Sequence, residues 1–388
     1  LLYEFITQLS CAVEGLNKDW IPKILTALNK LRNGPPSPEL LRLYSTLLLY
    51  NSLNNFGAGF EIMIENIHAS AESSNHELIT QGLFLLDKIL SDYVTRDKPS
   101  GNILPVFEKT FDDLLIDKTL NKNYSTEIRK QCLSCLSNLV IYVLDEDKVL
   151  LKSLEVFSDT ISLEFLILTD MRCIAELVHS EKVVKLVKHE WTERIINRLV
   201  EYITTSEFRT QSLKTLLAMM EANILTMPEK RKISAELTNL CMSYAMETSN
   251  SILCAKILAH ILDTTDCSLS DTFTSLLVRF SKINNFDNAT LTQYARAILK
   301  HTEPKKMINA ISKSGSRSDP YVSRLLAIVY VSSGGLDSID NVEKNLNSGK
   351  DILFSLTFLE QASKSMELHP DLTMFFKLFG DPDTKISE

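Results

Sequence analysis

Two cysteines, Cys132 and Cys135, form a C-x-x-C pair in the stretch STEIRKQCLSCLSNLVIYVL. This spacing occurs in zinc sites and in thiol redox centres. A zinc site needs two further ligands, but the next cysteine along the chain is Cys173 and no pair of histidines stands nearby. A redox pair is expected at the exposed start of a helix, whereas these cysteines lie one to two turns inside a helix that Ser125 is expected to cap.

The C-x-x-C pair also fits an apolar stripe on that helix. At helical spacing the stripe contains Ile128, Cys132, Cys135, Leu136, Leu139 and Val143. A cysteine in such a stripe behaves as a small apolar side chain. The pattern therefore predicts two packing positions in preference to a metal or redox site.

Two other patterns resemble catalytic motifs but are incomplete. The stretch HEWTE begins at His189 and has Glu193 where the zincin motif H-E-x-x-H needs its second histidine. It predicts a helix start, where acidic side chains interact favourably with the helix dipole. The stretches SGGLD and NSGKD do not complete a phosphate-binding loop, because Asp351 follows Lys350. The sequence therefore predicts no enzyme, no metal and no cofactor.

The composition predicts a helical protein that can bury a core. The chain has 388 residues, of which 45% are hydrophobic and 23% charged, with only 11 glycines and 11 prolines. A net charge of −8 argues against a surface that follows nucleic-acid phosphates. The seven scattered cysteines favour a reducing compartment. No apolar run approaches the roughly 20 residues that span a bilayer, so no membrane association is expected.

Helical periodicity repeats along the whole chain, as in the spacing of Ile195, Leu199 and Ile203. The predicted helix pairs begin at intervals of roughly 39 residues, close to the period of HEAT or armadillo repeats. No linker composition interrupts them. Residues 1–388 are therefore predicted to be a single continuous HEAT/armadillo-type α-solenoid of about nine to ten helix pairs. Because the chain opens without an initiator methionine, we expect it to be part of a longer solenoid.

Acidic residues in neighbouring repeats are the candidate protein-binding surface. The stretches FDDLLID and LDEDK supply them, and stacked helices offer an extended surface to a partner. The alternative is a solvated surface without a partner, as for the short basic runs PEKRK and EPKK. The candidate residues are Asp112, Asp113, Asp117, Asp145, Glu146 and Asp147.

The order of segments in the first half resembles the middle HEAT repeats of the cullin-associated, neddylation-dissociated (CAND) proteins. The clearest stretch, Glu127 to Asp145, is similar to a family helix of pattern E-[IV]-[KR]-x-x-x-[IL]-S-C-[ML]. Cys135 follows Ser134 as in the family, where this cysteine packs. Near the other end, DPYVSRLLAIVYVSSGGLD is similar to a family R-L-L-A-L helix followed by a break that contains glycine.

The resemblance implies a non-catalytic regulator of cullin–RING ubiquitin ligases in the cytoplasm and nucleus. CAND proteins wrap an unneddylated cullin and its RING subunit, and they support exchange of adaptor and substrate-receptor modules. Both arms of the family clamp are expected to be missing here, so the chain would form the central arch and a second polypeptide could supply the arms. One alternative is a generic HEAT scaffold, such as a nuclear transport receptor or phosphatase scaffold subunit. A helical enzyme is another alternative, but no catalytic arrangement of residues in the sequence supports it.

Overall fold

The computed structural model describes residues 20–31, 36–50, 56, 59–93, 113–144, 146–265, 270–333 and 352–365. Every regular element in these ranges is helical. The chain divides into two compact units, Leu1–Leu225 and Thr226–Glu388. Each is built of stacked helix pairs, which confirms the predicted all-α, HEAT/armadillo-type solenoid class. Continuity of one array over residues 1–388 stays a prediction.

The helices of the first unit alternate between two layers. In chain order they are α1 (Trp20–Leu31), α2 (Pro38–Tyr50), α3 (Gly59–Ala71), α4 (His76–Lys88), α5 (residues 113–120), α6 (Thr126–Tyr142), α7 (Asp147–Thr160), α8 (Ile167–Leu177), α9 (Glu181–Leu186), α10 (His189–Thr204) and α11 (Ser206–Glu221). Helix α4 continues as a π-helical turn, Ile89–Tyr93. In one layer α2, α4, α6, α8 and α11 each pack on the next, and in the other layer α1 packs on α3 and α7 packs on α10. An ion pair between Asp113 and Lys152 joins α5 to α7.

The second unit repeats this arrangement. Its helices are α12 (Met227–Ser243), α13 (Thr248–Thr264), α14 (Ser270–Ser281), α15 (Asn288–Leu299), α16 (Pro304–Lys313), α17 (Pro320–Ser332) and α18 (Ile352–Ser365). Helices α12, α14 and α16 stack in one layer, while α13, α15 and α17 stack in the other, with α18 packed on α17.

Side-chain caps fix several of the helix starts. The Asn75 side chain accepts hydrogen bonds from the Glu77 and Leu78 amides at the start of α4. Ser125 accepts from the Ile128 amide, as expected for α6. Helix α8 starts at Ile167 and not near Ser162, because residues 161–166 form turns. The short helix α9 was not predicted.

Long polar side chains of one repeat donate hydrogen bonds to main-chain carbonyls of the preceding repeat. The last carbonyls of a helix have no partner within it, and here the next repeat supplies the donor. The donors follow their acceptors by 35–41 residues. The pairs are Lys182 to Leu144 O (2.6 Å), Tyr202 to Ile161 O (3.0 Å), Arg279 to Met242 O (2.9 Å) and Tyr244 O (3.0 Å), and Arg324 to Phe286 O (2.7 Å).

The C-x-x-C cysteines lie in the core, which confirms the packing prediction. Cys132 and Cys135 are both fully buried, as is the rest of their stripe apart from a small exposed fraction of Ile128 and Val143. The Cys135 thiol donates to Leu83 O at 3.2 Å. Burial raises the pKa of Cys132 to about 12 and the pKa of Cys135 well above its ordinary value. Both thiols are therefore protonated and unreactive at neutral pH.

Among the described residues, a buried carboxyl group in the core of the first unit has no hydrogen-bond partner. Asp170 in α8 is 0% exposed, and neither carboxylate oxygen has a hydrogen-bond partner within the described residues. Burial raises the pKa of Asp170 well above its ordinary value, and the Thr160 hydroxyl offsets this only in part. Because ionising such a group without a partner is costly, Asp170 is protonated over much of the pH range.

Replacing Asp170 with asparagine is expected to raise the free energy of unfolding near pH 8, because an amide has no ionised form whose burial is penalised. A raised folded-state pKa means that stability falls as the pH rises above the ordinary pKa of aspartate. Asparagine removes this fall, so the gain should shrink toward about pH 4. Urea titrations across this range measure it, with Asp117→Asn, an exposed carboxylate, as control. If the stability of Asp170→Asn depended on pH in the same way as that of the parent, Asp170 would not be a buried carboxyl group with a raised pKa.

The burial of the described cysteines is tested by thiol labelling. Cys11 and Cys267 lie outside the described residues, so both are first replaced with serine. At about pH 8, Ellman's reagent should then modify none of the five remaining thiols in the folded chain and all five after denaturation. Rapid labelling of the folded chain at Cys132 or Cys135 would contradict their assignment to the core.

Candidate protein-binding surface

Four of the six predicted acidic residues can be placed in the structure. Asp113 and Asp117 are exposed on α5, while Glu146 occupies the N-cap position of α7 without a side-chain hydrogen bond and Asp147 is the first residue of that helix. The other two, Asp112 and Asp145, lie outside the described residues. The ion pair between Asp113 of α5 and Lys152 of α7 joins these two helices. The binding role of the acidic residues stays a prediction.

Asp113 belongs to a series of ion pairs between successive repeats. It pairs with Lys152 of α7, and Glu155 of α7 pairs in turn with Arg194 of α10 at 2.5 Å. Asp159 lies 3.5 Å from the same guanidinium. Both α5–α7 and α7–α10 pairs join residues 39 positions apart. We call these five residues the charge ladder.

The charge ladder contributes modestly to stability because its members face solvent. The side chains of Asp113 and Lys152 are 80% and 51% exposed, and Arg194 is 46% exposed. The hydrogen bond that Arg194 donates to the Glu155 carboxylate, more than any other cause, raises the pKa of Arg194. Exposed pairs of this kind contribute roughly 0.2–1 kcal/mol each. One of these pairs, Asp113–Lys152, neutralises a carboxylate that the sequence assigned to a binding surface.

Three predicted carboxylates remain open to a partner. Asp117, Glu146 and Asp147 are exposed and make no side-chain hydrogen bond or ion pair with the described residues. We call these three residues the acidic patch. Asp147 lies in the first turn of α7, where the helix dipole favours a negative charge. The acidic patch could attract a basic partner surface, but it forms no enclosed pocket for chemistry.

The excess negative charge of the chain lies almost wholly in the first unit. Residues 1–225 include 30 acidic and 23 basic side chains, while residues 226–388 include 19 and 18. A field of one sign accelerates association with a partner of opposite charge. The first unit is therefore the part of the chain suited to steering a basic partner.

Sequence reasoning missed a polar groove of about 720 Å³ in the second unit. Its lining includes Gln293, Arg296 and Lys300 of α15, Asp263 of α13 and Gln361 of α18. The three α15 residues share one helix face, which is a signal that the sequence did contain. The approach of Gln361 from a helix more than 60 residues away left no local pattern.

Other sequence motifs occupy structural positions. His189 starts α10 as predicted, and the buried Trp191 donates its indole N–H to Leu154 O at 2.8 Å. Within the described ranges, no group of three or more His, Cys, Asp or Glu side chains is arranged to hold a metal ion. In the same ranges, no helix has the length and apolar character that crossing a membrane requires.

Comparisons with known proteins identify no family. No family model matches the chain, and no curated protein does. Among solved structures, an engineered protein determined by a structural genomics consortium is 13% identical, with a TM-score of 0.49 over 97% of this chain and 95% of that one. A second engineered protein is 14% identical, with a TM-score of 0.40 over 69% of this chain and 97% of that one.

Replacing Arg194 with alanine removes both of its ion pairs and should lower the free energy of unfolding by roughly 0.5–1 kcal/mol. The loss should shrink at about 1 M salt, because exposed charges are screened. Chemical denaturation measures the change. Lys214→Ala, which removes an exposed cation without a partner in the described structure, is the control. Equal stability of the two variants would show that the ladder contributes nothing.

Proposed function

We propose that this chain is a non-catalytic regulator of cullin–RING ubiquitin ligases, similar to the central arch of a CAND clamp. It binds the unneddylated cullin and its RING subunit through contacts spread over stacked helices. In this proposal the chain supports exchange of adaptor and substrate-receptor modules, and a second polypeptide or further sequence supplies the arms. It acts in the cytoplasm and nucleus and uses no cofactor.

The observation that carries the proposal is the family-like stretch from Glu127 to Asp145. Most of it is α6, whose start Ser125 caps and whose two cysteines pack inside the first unit. The stretch is therefore a repeat helix, which is the context that the resemblance to CAND repeats requires. The spacing of the inter-repeat hydrogen bonds, 35–41 residues, lies at or slightly below the period of about 40–47 residues of HEAT repeats.

Charge supports a large protein as the partner. The net negative charge of residues 1–225 and the acidic patch favour association with a basic protein surface. Many weak contacts over an extended solenoid surface give specificity without a catalytic centre. The same features fit other HEAT scaffolds, so the choice of partner rests on the resemblance.

A pull-down with a purified cullin–RING complex tests the proposal. The chain is expected to bind the unneddylated complex and to bind the neddylated complex much more weakly. Failure to bind the unmodified complex would remove the cullin proposal. Cargo binding that depends on Ran-GTP would favour a transport receptor, and association with a phosphatase catalytic subunit would favour a phosphatase scaffold.

Reversing the acidic patch with Asp117→Lys, Glu146→Lys and Asp147→Lys should slow association with the cullin–RING complex about tenfold at low salt. The effect should shrink at about 0.5 M salt, because it arises from long-range attraction. Biolayer interferometry measures the rate. The matched control is Glu247→Lys, Asp271→Lys and Glu303→Lys, which reverses three exposed carboxylates of the second unit. Equal rates for both triple variants would exclude the acidic patch from steering.

A further inference from the structure

The polar groove of the second unit has the composition of a peptide-binding site. It lies along α15, between the C-terminal end of α13 and the middle of α18, and has a volume of about 720 Å³. Of its lining residues only Ala289 is apolar; the others are charged, amide or hydroxyl side chains. A groove with this lining gains little from apolar ligands and must bind through hydrogen bonds and charge.

Both carboxylates that line the groove already have partners. Asp263 accepts a hydrogen bond from Lys300 at 2.6 Å and forms an ion pair with it. Asp287 caps α15 by accepting from the Ala289 and Thr290 amides at 3.2 and 2.9 Å. Hydrogen bonds from Thr290 are the main reason that the pKa of Asp287 is lowered. Neither carboxylate is therefore available as the dominant acceptor for a ligand.

The donors of the groove are free in contrast. Arg296 and Gln293 are exposed, and neither has a hydrogen bond or ion pair within the described structure. Gln361 is only 5% exposed, lines the groove and makes no hydrogen bond with the described residues. The amide group of Gln361 can therefore donate to, or accept from, a ligand in the groove.

A fourth donor is held in place by Arg324. The Arg324 Nε donates to Asn288 Oδ1, and its Nη2 donates to Phe286 O at 2.7 Å. Because Oδ1 is the acceptor, the Asn288 amide nitrogen remains as the group that can donate to a ligand. The groove thus presents one guanidinium and three amide groups to a ligand rich in hydrogen-bond acceptors.

We propose that this groove binds an extended acidic peptide segment of a partner protein. A peptide carboxylate pairs with Arg296, and main-chain carbonyls accept hydrogen bonds from Gln361, Gln293 and the Asn288 amide nitrogen. Guanidinium is the side chain best matched to carboxylate geometry, and amides can both donate to and accept from a peptide backbone. This site goes beyond the proposed function, because cullin binding does not require it.

The test uses the full chain and fluorescein-labelled decapeptides of alternating glutamate and serine. A matched peptide of alternating glutamine and serine removes the carboxylates, and single-stranded oligouridine is a second anionic probe. Fluorescence anisotropy measures binding. We expect the glutamate peptide to bind at least about fivefold more tightly than either comparison ligand, with weaker binding at high salt.

Two variants locate the binding in the groove. Arg296→Glu should weaken binding of the glutamate peptide at least about tenfold, since it replaces the carboxylate partner with a like charge. Gln361→Leu keeps the buried volume and should weaken binding about threefold through lost hydrogen bonds. Arg231→Glu is the matched control, because Arg231 is an exposed arginine of α12 outside the groove lining.

Each contrary outcome overturns the proposal. If the glutamate peptide did not bind, or if the glutamine peptide bound equally well, an acidic peptide would be excluded as the ligand of the groove. Equal loss in Arg296→Glu and Arg231→Glu would move the interaction away from the groove. Tighter binding of oligouridine would assign the groove to a nucleic acid. Circular dichroism of each variant confirms that the fold is retained.

Discussion

The two units depend on hydrogen bonds in which each repeat completes the backbone of the one before it. A helix leaves its last carbonyls without partners, and this chain has too few glycines to cap its helices in the usual way. Lys182, Tyr202, Arg279 and Arg324 donate to carbonyls at or just beyond helix ends one repeat earlier. Together with the apolar layers, these donors fix the spacing at which one helix pair stacks on the next.

This mode of stacking places charged side chains on the exposed surface, where they pair between successive repeats. The charge ladder follows the repeats because stacking brings residues 39 positions apart together. The cysteines that first suggested a metal site fill the interior instead, with their thiols protonated. Asp170 is a buried carboxyl group that has no hydrogen-bond partner among the described residues.

Much of the fold could be predicted from the sequence because caps and apolar stripes are local. Ser125 and Asn75 identify helix starts within one turn, and the stripe through Cys132 and Cys135 identifies the buried side of α6. The candidate surface was less predictable. Nothing near Asp113 in the sequence indicates that Lys152 neutralises it, because that pairing depends on the stacking of repeats. The convergence of Gln361 with Arg296 depends on tertiary packing in the same way.

The most direct measurement is hydrogen–deuterium exchange of the chain with and without an unneddylated cullin–RING complex. A CAND-like solenoid that uses the acidic patch should exchange more slowly in residues 113–125 and in the first turn of α7 when the complex is present. Neddylation of the cullin should abolish that protection. Identical exchange in the presence and absence of the unmodified complex would contradict the proposed function, while the helical fold would stand.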